Sequence, residues 1–320
     1  MHGSGFDGVM IAFVIVTSNI PHNISVLNTR ACRYTESIPG LANLWTNRAD
    51  RVGDGEVSNS KSGNFDEHGL PCYLDMQAEL GYTKHIGGLN ATREMLDLCQ
   101  IPPEKVMLYV GCGSGGAIIY IPEEYGCQVV GIDLKGNMLT SAQAWADRKG
   151  IRDRLTFGTA DAQQLPFAAN SFDIVICEAV NTFVPDRAMA VSEYIRVVKP
   201  GGYIGLNEPV LIQDPTPKDA DALAKIVGHA IEPPETWENL LEGDSLTGIT
   251  IKTYAIDMRA ESRSQMGFFS PTEYLRIIGR IIRTFLFNPY SRHMIKDATT
   301  VSSTAVIRFL GYGLFVGQKL

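Results

Sequence analysis

The sequence predicts an α/β fold: an open, mostly parallel sheet of seven strands with helices flanking it. Three observations carry that prediction. Downstream of Met76, short apolar runs alternate with stretches of helical periodicity, the pattern of strands joined by crossover helices. The first five apolar runs are nearly continuous, as strands covered on both faces require. The first of them ends in Gly111-Cys112-Gly113-Ser114-Gly115-Gly116, a glycine-rich turn that opens a helix. With 45% hydrophobic residues in a chain of 320, there is ample material for a core of that size.

Residues 1–75 differ in composition from the rest. From Thr17 to about Leu70, Asn, Ser, Gly, Asp and Thr dominate without periodicity, so this region is expected to be a poorly ordered extension. The domain proper is expected to be residues 76–320, and a chain beginning at Met76 is expected to fold and bind its cofactor. Within it, strands are placed at Lys105–Val110, Gln128–Leu134, Leu155–Ala160, Phe172–Cys177, Tyr203–Asn207, Ile249–Ile256 and Val306–Val316. Helices are placed between them at Leu89–Cys99, Gly115–Tyr125, Gly136–Lys149, Arg187–Val198 and Pro217–His229.

The glycine turn marks a nucleotide-like cofactor, because residues without a Cβ let the backbone approach a ligand at a helix N-terminus. By itself it reads two ways. Gly111, Gly113 and Gly116 form G-x-G-x-x-G, the dinucleotide fingerprint; Gly111, Gly113 and Gly115 form G-x-G-x-G, which leaves Gly116 as a helix residue. Ligands of open α/β sheets lie over the carboxyl ends of the strands, and here those ends carry polar groups in series. The second strand ends in Asp133, 22 residues after Gly111, where a carboxylate can accept from both hydroxyls of a ribose. The third ends in Thr159-Ala160-Asp161-Ala162, followed by Gln163-Gln164-Leu165-Pro166-Phe167; a carboxylate there can accept from an adenine amino group.

Together with Ser171-Phe172-Asp173-Ile174-Val175 and Val198-Lys199-Pro200-Gly201-Gly202, this ordered set resembles the class I S-adenosylmethionine-dependent methyltransferases, in particular their small-molecule, type 11-like group. The resemblance covers roughly residues 81–208. It implies a Rossmann-like fold and S-adenosyl-L-methionine as cofactor. It also implies roles: Gly111, Cys112, Gly113 and Gly115 along the methionine and ribose portions, Asp133 on the ribose, Leu134 against the adenine, Asp161 and Ala162 at its edge, and Glu178 as a further pocket contact. Competing structural roles are a helix N-cap for Asp161 and ordinary core for Leu134. A nicotinamide dehydrogenase would use only the first two elements, leaving the Asp161–Phe167 segment without a purpose.

One position departs from the family pattern. Two residues before Gly111 the family usually carries Asp or Glu, whereas this chain has Tyr109, which supplies a hydroxyl but no charge. Either a neighbouring acid substitutes, or the chain is a non-catalytic adenosylmethionine-binding or partner-binding protein with a degenerate site. Methyl transfer from a sulfonium is chiefly a matter of alignment, which contributes about 7 to 11 kcal/mol in well-oriented pairs, and a base helps only when the acceptor must lose a proton. His85, in the segment leading into the first helix, and Glu178, after the fourth strand, are the candidate catalytic residues, with Tyr82, Asn181 and Glu208 nearby. Histidine suits the task because it titrates near neutral pH; the competing role for His85 is that of a hydrogen-bonded structural histidine.

Composition narrows the partners. A net charge of -7 gives no support for nucleic-acid binding, so the expected partner is a small-molecule methyl acceptor. The six cysteines contain no C-x-x-C pair, which leaves no metal module and suits a reducing, cytoplasmic setting. The apolar run Val9–Val16 is far short of the ~20 residues of a membrane span. Between the last two strands lies an insertion, about 259–303, with seven basic and three acidic residues. Within it Thr272–Phe287 reads as an amphipathic helix: Leu275, Ile278, Ile282 and Leu286 recur at helical spacing, and Arg276, Arg280 and Arg283 share another face. It is expected to form a helical cap, either simply packed over the core with its arginines in water, or acting as a lid over a hydrophobic acceptor of lipid- or quinone-like character with the arginines near an anionic group or in peripheral membrane contact through residues 272–287.

Overall fold

The computed structural model describes residues 44–45, 85–101, 104–227, 231–257, 260–261, 263–264, 267, 269–287 and 308–320. Tyr82, nearly all of residues 1–75 and much of the insertion at 259–303 therefore lie outside the described residues. The elements are α1 (Gly88–Leu98), β1 (Val106–Val110), α2 (Ala117–Tyr125), β2 (Gln128–Asp133), α3 (Gly136–Lys149), β3 (Leu155–Thr159), β4 (Phe172–Glu178), α4 (Arg187–Val197), β5 (Val198–Leu211), α5 (Pro217–Val227), α6 (Pro234–Leu241), β6 (Leu246–Ala255), α7 (Pro271–Phe287) and β7 (Leu310–Lys319).

The strands form one seven-stranded sheet in the order β3-β2-β1-β4-β5-β7-β6. β1 to β5 run parallel, and β7 inserts antiparallel between β5 and β6. Strand order reverses between β1 and β4, the place where an open parallel sheet leaves a crevice for a ligand. Pairing registers Val110 with Ile132 and with Cys177, Asp133 with Thr159, and Glu178 with Asn207. The ends of β1 to β4 and the middle of β5 thus reach one edge together.

Two apolar clusters cover the two faces of the sheet. One contains Leu108, Val130, Phe172, Tyr194 and Trp237, and the other Met107, Ile118, Trp145, Phe157 and Ile176. The alternation of side chains along a strand is visible in β1 itself, where Leu108 and Val110 fall in the first cluster and Met107 and Tyr109 in the second. Local polar bonds fix the connections. Asp173 accepts from the Val106 N–H at 3.0 Å and meets Lys199 at 3.0 Å, tying β1, β4 and β5. Burial opposes ionisation of Asp173, but the Val106 N–H and Lys199 outweigh it and hold the carboxyl below its usual value. Gly202 sits where a Cβ would lie 2.5 Å from the Asp173 carbonyl oxygen, so no side chain fits there.

The structure adds elements that the periodicity does not predict. α6 is only eight residues long and begins with proline, yet it buries Trp237 completely. β5 extends to Leu211, beyond the expected end at Asn207, because β7 pairs with it as far as Leu310.

Candidate functional site

The turn after β1 is built by glycine conformations. Gly111, Gly113 and Gly115 have φ of 68°, 55° and 135°, angles that L side chains rarely adopt. Gly116 is not a helix residue, contrary to expectation. It is the N-cap of α2 with φ 46° and ψ -114°, so its glycine character is needed whichever motif is read. Cys112 is buried and donates its N–H to the Ile132 carbonyl at 2.9 Å. Burial pushes its thiol well above the usual range, as suits packing and not nucleophilic chemistry.

Asp133 ends β2 facing that turn. One carboxyl oxygen accepts from the Gly113 N–H at 2.8 Å and the other from the Lys135 N–H at 2.9 Å. Burial raises its ionisation above the ordinary value, opposed by those backbone donors. A carboxylate has about four acceptor positions, so capacity remains for ribose hydroxyls. Leu134, next in line, is 45% exposed, which removes ordinary core as its explanation and leaves an apolar surface beside the acid. Asp161 accepts from the Gln163 N–H at 2.8 Å, closing a local turn, and Ala162 is buried beside it. The loop they start is clamped from α4: Arg196 donates to the Phe167 and Leu165 carbonyls, and Glu193 accepts from the Leu165 N–H at 2.8 Å.

A second polar centre surrounds Glu178, at the end of β4 and 4% exposed. Its carboxylate accepts from the Tyr109 hydroxyl at 2.5 Å, from the Thr92 hydroxyl at 3.1 Å and from the Asn207 amide at 3.3 Å. His85 Nε2 stands 3.2 Å away, and also 3.1 Å from the Gly88 carbonyl and 3.0 Å from the Thr92 hydroxyl. Three acceptor oxygens around one ring nitrogen favour the tautomer with hydrogen on Nε2. Burial, then the Glu178 charge, pushes the Tyr109 phenol well above its usual range, so it stays a donor. His85 and Glu178 are thus brought together, while Asp133 and Asp161 occupy successive strand ends at the turn.

Several of these residues escape sequence reasoning. Thr92 and Asn207 depend on contacts across 86 and 29 positions. Val180 packs so close to the turn that a Cβ at Gly111 would lie 2.2 Å from it. Its loop is anchored by Glu208, which accepts the Asn181 N–H at 3.0 Å.

Comparison with known proteins agrees with this architecture. Residues 108–206 match the family described as "Methyltransferase domain". An uncharacterized protein of Haemophilus influenzae is 31% identical over 170 residues, covering 52% of this chain and 68% of that protein. A phosphoethanolamine N-methyltransferase of Triticum aestivum is 29% identical over 174 residues, or 54% of this chain. The matched region spans 34% of the wheat enzyme's length. Among solved structures, phosphoethanolamine N-methyltransferase 2 of Haemonchus contortus, in complex with phosphomonomethylethanolamine and S-adenosylhomocysteine, superposes with a TM-score of 0.60 at 19% identity, covering 77% of this chain and 57% of that one. Because residues 108–206 match that family and methyltransferases stand among the relatives, the chain belongs to the class I S-adenosylmethionine-dependent methyltransferases.

Proposed function

We propose that the protein transfers a methyl group from S-adenosylmethionine to a small-molecule acceptor, with His85 as base and Glu178 as its partner. The observation that carries this reading is the His85–Glu178 contact of 3.2 Å at the strand ends beside the glycine turn. Gly111, Gly113 and Gly115 would pass the cofactor's methionine and ribose, Asp133 would hold its hydroxyls, Leu134 would cover the adenine, and Asp161 with Ala162 would meet its edge. When bound, the cofactor supplies an electrophilic methyl with a good leaving group. Glu178 holds the imidazole ring through Nε2 and stabilises the cation formed when the ring takes the acceptor's proton. The same carboxylate supplies the negative charge that Tyr109 does not, a point against a degenerate, non-catalytic site.

His85→Ala is expected to lower turnover about 100- to 10,000-fold, the usual range for a lost acid–base group, with adenosylmethionine affinity by titration calorimetry changed only a few-fold. Turnover is read as adenosylhomocysteine release across a panel of hydroxyl, amine and acidic-carbon acceptors. Undiminished turnover in His85→Ala removes the base from the scheme; binding with no transfer to any acceptor in the unaltered protein favours the non-catalytic reading instead.

A further inference from the structure

α7 presents two different sides. Its inner side carries Glu273 and Ile277, both buried. Glu273 is engaged there, accepting from the Trp145 indole N–H and from the Ser270 N–H and hydroxyl, while Phe269 stacks on Trp145 with ring centres 5.2 Å apart. The outer side is apolar and, among the described residues, unpartnered: Leu275 is 67% exposed, Ile282 53% and Leu286 57%. At 3.6 residues per turn, positions 275, 282 and 286 form one stripe along the axis. Phe287, at the helix end, is 80% exposed. Soluble surfaces rarely keep an aligned apolar stripe without a use for it.

What covers the stripe is indicated by charge. Arg276, Arg280 and Arg283 lie on the adjoining exposed side, and Arg148 of α3 lines a surface hollow with Arg276 and Arg280. The helix's one acid, Glu273, faces inward. A chain of net charge -7 therefore concentrates positive charge beside its most exposed apolar residues. A second copy of an acidic protein could match the apolar stripe, but the gathered arginines call for a polyanionic surface. No helix among the described residues is long and apolar enough to cross a membrane, so the arrangement fits a helix lying in the plane of the interface.

We propose that α7 docks the protein on an anionic lipid surface, with Leu275, Ile282 and Leu286 entering the acyl boundary and Arg148, Arg276, Arg280 and Arg283 meeting the headgroup phosphates. This surface is separate from the His85–Glu178 centre, and its assignment does not depend on methyl transfer. Phosphate-rich headgroups supply the anion, and the apolar stripe requires the lipid beneath it, which a free phosphate cannot provide.

Vesicle co-sedimentation of the full chain tests it, using vesicles of equal parts phosphatidylcholine and phosphatidylglycerol beside pure phosphatidylcholine. Binding to the mixed vesicles is expected, with little to the pure ones and release at high salt. At about fivefold per arginine, from the ~1 kcal/mol of a basic residue near an anionic surface, Arg276→Gln with Arg280→Gln should weaken binding about 25-fold. Leu275→Asp with Ile282→Asp should abolish it, and unchanged thermal melting of both variants would show that the fold is retained. Absence of binding to mixed vesicles overturns the proposal. So does a concentration-dependent dimer that Leu275→Asp with Ile282→Asp dissolves while the unaltered chain ignores vesicles, since the stripe would then be a contact between copies.

Discussion

On the proposed function, Tyr109 and Glu178 divide between them what one acidic residue usually provides in this family. The phenol donates at 2.5 Å to a carboxylate reaching over from the next strand, so negative charge sits at the end of β4 and its hydrogen-bonding partner on β1. That carboxylate is buried and remains tolerable because Thr92, Asn207 and His85 also converge on it; an ion enclosed without such partners would be strongly destabilising. Glu208 is in the opposite situation. Burial raises its carboxyl from 4.5 to about 8, against the opposing backbone donors of Asn181, Thr182 and Val180, and its Oε2 has no hydrogen-bond partner among the described residues. A folded-state value above the unfolded one means stability that is complete below the unfolded value and is lost as pH rises through about 8. Glu208→Gln keeps an acceptor oxygen but cannot titrate. Urea denaturation from about pH 5 to about pH 9 should therefore show the unaltered protein losing on the order of a few kcal/mol relative to the variant. Parallel stability curves would show that Glu208 does not carry this pH dependence.

The segment entering α1 is held by residues from the insertion after β6. Gly87, with φ 86°, donates its N–H to Glu261 at 2.8 Å, and its carbonyl accepts from the Ser264 hydroxyl at 2.8 Å. Ser264 accepts in turn from the Asn90 N–H at 2.9 Å. Two buried side chains from the insertion after β6 thus fix the turn that carries His85, two residues upstream of Gly87. Such a latch was not legible in the sequence, because bonds spanning 174 positions leave no periodic trace. If the latch positions His85, Ser264→Ala should cost about 1 kcal/mol of stability, the net worth of a typical hydrogen bond. It should also lower turnover several-fold while leaving adenosylmethionine affinity unchanged, because misplacing a reacting group acts on the reaction step. Chemical denaturation, calorimetry and steady-state turnover separate the effects. A loss of stability with turnover intact would make the latch purely structural.

Across the whole molecule, the parallel half of the sheet was readable because each of β1 to β5 is an apolar run ending in a residue type with a task, as Val110 leads into glycine and Ile132 into Asp133. α6 escaped because eight residues hold too few periods to register, and Thr92 and Asn207 beside Glu178 because they come from separate elements. The extension's composition predicts poor order, yet Trp45 bridges to Phe167 with ring centres 4.6 Å apart and lies over Gly158, where a Cβ would come within 2.1 Å of the indole. Gly158 precedes the end of β3, and Phe167 closes the loop that begins at Asp161, so the indole backs the proposed adenine edge of the site. A chain beginning at Met76 lacks this ring and bares Phe167. Fully buried aromatic side chains cost about 3 to 5 kcal/mol when truncated to alanine; Trp45 is only partly buried, so about 2 kcal/mol is the expected loss for Trp45→Ala. The chain beginning at Met76 should lose at least as much in urea denaturation and should bind adenosylmethionine more weakly, since the Asp161–Phe167 loop has lost its backing. Equal stability of the shortened and full chains, with equal cofactor affinity, would show that the indole contributes nothing and that the domain begins at Met76.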